Sequence, residues 1–199
     1  MSIVLNVVTP MASWTMTDGR GIDGDKIMEH VRKCQPFGSK FYIAYTGILE
    51  FAETAVSILR QRCPDPDSRT LEYVTAALKA VSDHLRTKRS DNAQFLVTGI
   101  REDGVLGSCT ISMSGEFQCL YPVGDTFRIA CLSPFDDGFN ASQYLEPRPA
   151  NMPWDRYFKT QLEKIVAIAA ERSETVNTNT TFYVIHLNPE TGEKHFFQC

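Results

Sequence analysis

Residues 40–47 read Lys-Phe-Tyr-Ile-Ala-Tyr-Thr-Gly, a run of aromatic and β-branched residues that predicts a strand ending at Gly47. The segment after it repeats apolar residues at three- and four-residue steps, which predicts a helix over 48–62 with one buried face. The chain therefore passes from a buried strand into an amphipathic helix at a glycine, and this junction is the point from which the fold can be inferred.

The segments on either side of this junction extend the same mixed pattern. A Pro- and Asp-rich cluster at 64–68 ends the first helix, and apolar periodicity predicts a second helix over 70–87. A third helix is predicted over 154–173. Alternating or β-rich runs separated by turn residues predict strands at 3–8, 13–17, 95–100, 105–113, 116–121, 127–132, 180–187 and 194–198.

The order of these elements determines the fold class. Strands are followed by a pair of helices, then by more strands, a single helix and a hairpin. Helices in separate groups around mainly antiparallel strands predict an α+β protein in layers. No internal repeat or linker divides the 199 residues, so we predict a single domain over 1–199.

Composition excludes several classes of partner. The formal net charge is −4 and no long basic run is present, so nucleic acid is not an expected partner. No stretch approaches the roughly 20 apolar residues that span a bilayer, so we expect no membrane partner. The apolar start lacks a basic region and is typical of a strand, not of a secretion signal, which predicts a cytoplasmic protein with reduced cysteines.

Five positions, four polar and one glycine, stand at distances that can be compared with those of a known family. Removal of Met1 would expose Ser2, and the motif Asp18-x-Arg20 places its Asp sixteen residues after that serine. Lys33 precedes the strand 40–47, and Gly47 follows Lys33 by fourteen residues.

In these residues and in its element order the chain resembles the proteasome β-subunit-like family of N-terminal-nucleophile (Ntn) hydrolases. The resemblance spans nearly the whole chain in element order, although the matching residues lie mostly within the first fifty positions. It implies a four-layer αββα sandwich of two stacked, mainly antiparallel sheets. It further implies a homo-oligomeric ring with peptide or amide substrates, without cofactor or metal.

The resemblance implies a role for each matched residue. Ser2 would attack the substrate carbonyl, with its own α-amine as the base, and Lys33 would favour the deprotonated hydroxyl. Asp18 would orient Lys33, and the Gly47 amide would face the developing oxyanion. Substrate binding and support would come from Arg20, Gly21, Ser133 and Ser173.

The sequence departs from the family after the last long helix. There the family carries an Asp and a Ser that support the amine, but this chain has Ser173 and Val176, with Asn177 as another potential hydrogen-bond partner. Ser133 is the nearest match to a second family serine. A catalytically silent subunit with an assembly or binding role is therefore the main alternative to a peptidase, and a small-molecule amidase is a further one.

Two other features have simpler explanations. The loop predicted over 18–25 holds three Asp and three Gly, but its spacing does not match a calcium-binding EF-hand, and a Gly-rich turn explains it better. Cys34 follows Lys33, which could lower the pKa of its thiol, but adjacency alone does not identify a nucleophile.

Overall fold

The computed structural model describes residues 2–23, 26–90, 92–135, 139–188 and 194–198. In chain order the strands are β1 (Val4–Val8), β2 (Ala12–Asp18), β3 (Gly21–Asp23), β4 (Lys26–Met28), β5 (Cys34–Phe37), β6 (Phe41–Gly47), β7 (Ala93–Ile100), β8 (Leu106–Ile111), β9 (Phe117–Leu120), β10 (Arg128–Leu132), β11 (Thr180–Leu187) and β12 (Lys194–Gln198). The helices are α1 (Leu49–Arg62), α2 (Leu71–Arg86) and α3 (Trp154–Arg172), with 3-10 turns at Pro66–Ser68 and Ala141–Tyr144.

Ten of these strands form two five-stranded antiparallel sheets. The first has the order β10-β1-β2-β11-β12 and the second the order β5-β6-β7-β8-β9. Strands β3 and β4 form a separate small hairpin between β2 and β5.

Three apolar clusters hold the layers together. Helices α1 and α2 pack on the outer face of the second sheet around Phe51, Leu78 and Phe95. Helix α3 packs on the first sheet around Phe158 and Leu162. A third cluster fills the space between the two sheets and takes side chains from β1, β6, β7, β10 and β11. The protein is thus a four-layer αββα sandwich, which confirms the fold class predicted from the element order and from the family resemblance.

Burial on both faces explains why β1 is apolar at every position except Asn6. Ile3, Leu5 and Val7 face the α3 layer, whereas Val4 and Val8 face the other sheet. A strand covered on both sides has no solvent face on which polar residues would alternate.

Three local predictions needed correction. The segment predicted as a loop over 18–25 contains β3, which pairs with β4, while residues 24 and 25 lie outside the described part. The edge strand β5 was not predicted, because its four residues include Pro36 and carry no period-two pattern. The apolar residue Trp154, which the helical periodicity of 154–173 also places on the buried side of α3, is 46% exposed.

The length and apolar character of the helices bear on membrane insertion. Within the described residues, α1, α2 and α3 each lack the combination of length and apolar character that a membrane-spanning helix needs.

Candidate functional site

The pairing of β1 with β2 brings Ser2 beside Asp18. Val4 lies opposite Thr17 in this antiparallel register, so the segment before β1 runs along the end of β2. The Ile3 amide donates to Asp18 Oδ1 at 2.9 Å, and the Asp18 amide donates to the Ile3 carbonyl at 3.3 Å. Both Ser2 and Asp18 are buried, at 4% and 0% exposure.

Lys33 completes a buried cluster with these two residues. It lies immediately before β5, where its carbonyl accepts from the Tyr45 amide at 3.0 Å. Its Nζ donates to Ser2 Oγ and to both Asp18 carboxylate oxygens, each of the latter at 3.1 Å. The Arg20 carbonyl accepts a further hydrogen bond from the same ammonium group. Three residues far apart in sequence therefore converge on one buried point.

Two opposing effects act on the Lys33 ammonium. Burial removes water from the charged form and lowers the pKa of Lys33 below its ordinary value, while the Asp18 carboxylate raises it and opposes that fall. The net direction is downward. The geometry is that of a paired, hydrogen-bonded cation whose charge is costly to the fold, an arrangement more common at functional sites than on ordinary surfaces.

A cavity of about 250 Å³ opens beside this cluster. Gly47, the last residue of β6, forms part of its wall with φ +111°, and an added Cβ would lie 2.7 Å from the Asn92 carbonyl oxygen. Helix α1 begins two residues later. The wall consists of Ser2, Arg20, Gly21, Val31, Lys33, Tyr45, Thr46, Gly47, Ile48 and Leu49.

Arg20 supports the site mainly through its backbone. Its amide donates to Asp18 Oδ2 at 3.0 Å, and its carbonyl accepts from Ser2 Oγ at 3.2 Å. Its guanidinium turns away, pairs with Glu29 at 2.8 Å and donates to the Glu174 carbonyl. Gly21, the next residue, starts β3 and lies close to Val31.

The two remaining predicted residues do not line the cavity. Ser133 lies one residue beyond the end of β10, and its hydroxyl is hydrogen-bonded to the Cys131 thiol. The Ser173 hydroxyl bonds the Thr175 hydroxyl at 2.8 Å within the turn that follows α3.

Asn177 is placed differently from Ser173. Its Oδ1 accepts from the Gly19 amide at 3.0 Å, and its side-chain amide donates to Glu29. It therefore braces the segment that carries Asp18 and Arg20, and these bonds do not involve Ser2.

Cys34 does not have the lowered pKa that its neighbour Lys33 suggested. Its side chain is fully buried in the cluster between the two sheets, and this burial raises the pKa of the thiol far above its ordinary value. Burial similarly raises the pKa of the Tyr45 phenol to about 12. Within the described residues, no cluster of three or more His, Cys, Asp or Glu side chains has the arrangement of a metal site.

Sequence reasoning missed Thr46, a direct neighbour of Ser2. Its Oγ1 accepts from the Ser2 amide and donates to the Ser2 carbonyl, both at 2.9 Å. Only its position directly before Gly47 could have drawn attention to it, since a threonine within a strand is usually a packing residue.

Comparisons with known proteins agree with this architecture. The chain is similar in structure to Anbu (ancestral beta-subunit) from Yersinia bercovieri, with 17% identity and a TM-score of 0.73 over 98% of this chain and 86% of that one. For Anbu from Hyphomicrobium sp. strain MC1 the identity is 12% and the TM-score 0.73, over 98% and 86%. An Anbu (Gly-1) mutant from the same strain has 12% identity and a TM-score of 0.74 over 100% and 87%. No family model matches the chain, and no curated protein matches it either.

These results correct the family assignment made from the sequence. The assignment to the proteasome β-subunit-like family is overturned, because the solved structures that the chain resembles are Anbu proteins and no family model supports the assignment. At 12–17% identity the similarity concerns the fold alone. The chain has the αββα fold of the Anbu proteins.

Proposed function

We propose that this chain is an Ntn hydrolase that cleaves peptide or amide bonds through Ser2, after removal of Met1 frees the Ser2 α-amine. The observation that carries the proposal is the hydrogen bond from Lys33 Nζ to Ser2 Oγ, buried beside a cavity. A neutral hydroxyl is a weak nucleophile and needs both a base and a stabiliser for its developing negative charge. The amine supplies the base, and the Lys33 ammonium supplies the charge.

The reaction proceeds in two halves. The Ser2 amine takes the Oγ proton while Oγ bonds to the substrate carbonyl carbon, and the amine then passes this proton to the departing nitrogen as the C–N bond breaks. The product of this half is an ester on Ser2. Water attacks that ester with the same amine as base, which releases the acid and restores the hydroxyl. Burial lowers the pKa of Lys33, and the Asp18 carboxylate opposes this fall and so favours the charged form of the lysine.

The cavity wall suggests how a substrate is held. Arg20 and Gly21 lie on one side of the cavity and Gly47 on the other, so an extended peptide can pair with backbone groups on both sides. The backbone amide of Gly47, near the start of α1, faces the developing oxyanion in this arrangement. A substituent at Gly47 would collide with the Asn92 carbonyl, which accounts for glycine there.

Assembly is part of the same proposal. We expect residues 1–199 to act as one domain, because the cluster between the sheets takes side chains from both. We also expect copies to form a homo-oligomeric ring, and the name "ancestral beta-subunit" of the Yersinia protein supports assembly from several chains. A cytoplasmic location and independence from cofactors stay predictions.

A silent subunit is the second candidate, and a specific observation favours it. Ser173 and Val176 stand where the family carries its Asp and Ser. The Ser173 hydroxyl is hydrogen-bonded within its own turn, and the Val176 side chain has no polar group. The segment after α3 thus places no acidic side chain on Ser2 in the way that the family resemblance implied. A chain of this kind would keep the fold and the Asp18–Lys33 pair without hydrolysis.

Reaction with an active-site probe separates the two candidates. The chain is produced behind a cleavable fusion that leaves Ser2 first, and a β-lactone is added, whose ring-opening acylates a nucleophile with gain of the whole probe mass. We expect one adduct on the Ser2 peptide and hydrolysis of fluorogenic peptides. Ser2→Ala and a form that retains Met1 are the matched controls. Equal labelling of Ser2→Ala would refute the proposal, and an unlabelled, folded Ser2-first chain would favour the silent subunit.

A further inference from the structure

One threonine side chain holds both backbone groups of Ser2. The Ser2 N–H donates to Thr46 Oγ1 at 2.9 Å, and the Thr46 hydroxyl donates to the Ser2 carbonyl, also at 2.9 Å. Residues in an extended chain normally exchange such a pair of hydrogen bonds with the backbone of a neighbouring strand. Here a side chain of β6, forty-four positions away, takes the place of that backbone.

The donor roles within this pair are fixed. A hydroxyl has one hydrogen, and that of Thr46 is committed to the Ser2 carbonyl. Thr46 Oγ1 can therefore offer only lone pairs to the Ser2 nitrogen. The Thr46 residue is 2% exposed, so water does not compete easily for the same position.

We propose that Thr46 is the positioning residue for the Ser2 α-amine and orients it as the base, a role that the family resemblance assigned to an acidic and a hydroxyl group after α3. This inference rests on the proposed function for its catalytic meaning. One amine hydrogen is held by Thr46, so rotation of the amine about the Cα–N bond is restricted. The amine lone pair can then be directed to Ser2 Oγ, which already accepts a hydrogen bond from Lys33.

The groups around Ser2 determine how loss of the Thr46 hydroxyl should affect deprotonation of the Ser2 amine. Lys33, Arg20 and Tyr45 are the ionisable residues that line the cavity with Ser2, while Asp18 is bound to Lys33 and Glu29 is paired with Arg20. An acceptor stabilises an ammonium group more than an amine, because the charged donor forms the stronger hydrogen bond. Removing the Thr46 acceptor should therefore make the Ser2 amine easier to deprotonate, although less well oriented.

The decisive measurement is the pH midpoint at which the Ser2 amine is acylated by a trace of labelled acetic anhydride, quantified on the N-terminal peptide. We expect Thr46→Val, which matches threonine in shape, to lower this midpoint by about 0.5 to 1 pH unit. Thr46→Ser keeps the hydroxyl and should restore it. Thr98→Val is the matched control, since it removes a buried hydroxyl that bonds Ser108 at 3.0 Å, away from Ser2.

Activity provides the second readout. In an active chain, Thr46→Val should lower kcat at least tenfold with little change in KM, whereas Thr46→Ser should recover most of the loss. An unchanged amine midpoint in folded Thr46→Val would overturn the role of Thr46 whether or not the chain hydrolyses peptides. Absence of hydrolysis in the wild-type chain with a shifted midpoint in Thr46→Val would instead count against the proposed function while supporting the contact.

Discussion

The buried pair of Asp18 and Lys33 allows a quantitative test of how charge is held in this fold. The Lys33 ammonium lies 3.1 Å from both Asp18 oxygens, with the two side chains 4% and 0% exposed. Lys33→Met would leave the carboxylate buried with the backbone amides of Ile3 and Arg20 as its remaining donors. Breaking a buried pair in this way typically costs 3–5 kcal/mol, and the two retained donors place our expectation at about 3 kcal/mol.

The complementary change should cost less. Asp18→Asn leaves a buried ammonium that still donates to Ser2 Oγ and the Arg20 carbonyl, and that can lose its proton because burial has already lowered the pKa of Lys33. We expect a loss of about 2 kcal/mol. The double variant removes both charges together, so its cost should be about 3 kcal/mol rather than the sum, a coupling of about 2 kcal/mol.

Urea unfolding of the four proteins measures these costs, at several protein concentrations so that assembly does not distort them. The matched control is the exposed pair of Lys79 and Asp83 on α2, whose side chains are 36% and 43% exposed. Its coupling should be about 0.3–0.5 kcal/mol. Additive costs for Asp18 and Lys33, or a coupling no larger than that of the α2 pair, would refute the inference that the site holds a desolvated ion pair.

Three further predictions concern conformation, pH and oxidation. Gly47→Ala should destabilise the fold by about 2 kcal/mol or more in urea unfolding and abolish any β-lactone labelling, because its φ of +111° and the 2.7 Å approach to Asn92 leave no room for a Cβ. Because burial lowers the folded-state pKa of Lys33 below its unfolded value, the folded chain binds fewer protons between the two values, so the unfolding free energy should rise with pH in that window. Lys33→Met should lack this rise when urea unfolding is repeated at a series of pH values below the ordinary lysine pKa. Cys109 and Cys119 face each other across β8 and β9 with their sulfurs 2.7 Å apart, so glutathione disulfide should oxidise them to a disulfide with release of two glutathione thiols. Peptide mapping without reductant should find this disulfide. Recovery of both thiols unmodified, after exchange with glutathione disulfide has reached equilibrium, would contradict the prediction.

Much of the fold was predictable because local patterns and burial agree. The apolar periodicity of 48–62 and 70–87 predicted α1 and α2 to within a residue at each end. The apolar run before residue 9 predicted β1 even though it does not alternate. Short strands without a clear period-two pattern were not predicted. They include the β3–β4 hairpin and the edge strand β5, whose pairing depends on neighbouring strands.

The candidate site was likewise predicted only in part from the sequence. The family resemblance pointed to Ser2, Asp18, Lys33 and Gly47. In the structure Ser2, Lys33 and Gly47 line one cavity, and Asp18 is hydrogen-bonded to Lys33. Spacing could not reveal Thr46, because its hydrogen bonds to Ser2 depend on β6 lying beside the chain segment that precedes β1. Nor could it show that the Ser173 hydroxyl is hydrogen-bonded to Thr175, since this contact depends on the conformation of the turn after α3.

The amino-acid sequence by itself determined the layered α+β class and the presence of a serine, an aspartate, a lysine and a glycine in suggestive order. Only the tertiary structure decided that Lys33 is buried, which partners its charge has and which hydroxyl meets the Ser2 nitrogen. The physical reason is that hydrophobic periodicity is a local property of the chain, whereas desolvation and hydrogen-bond geometry depend on which segments the packing of two sheets brings together.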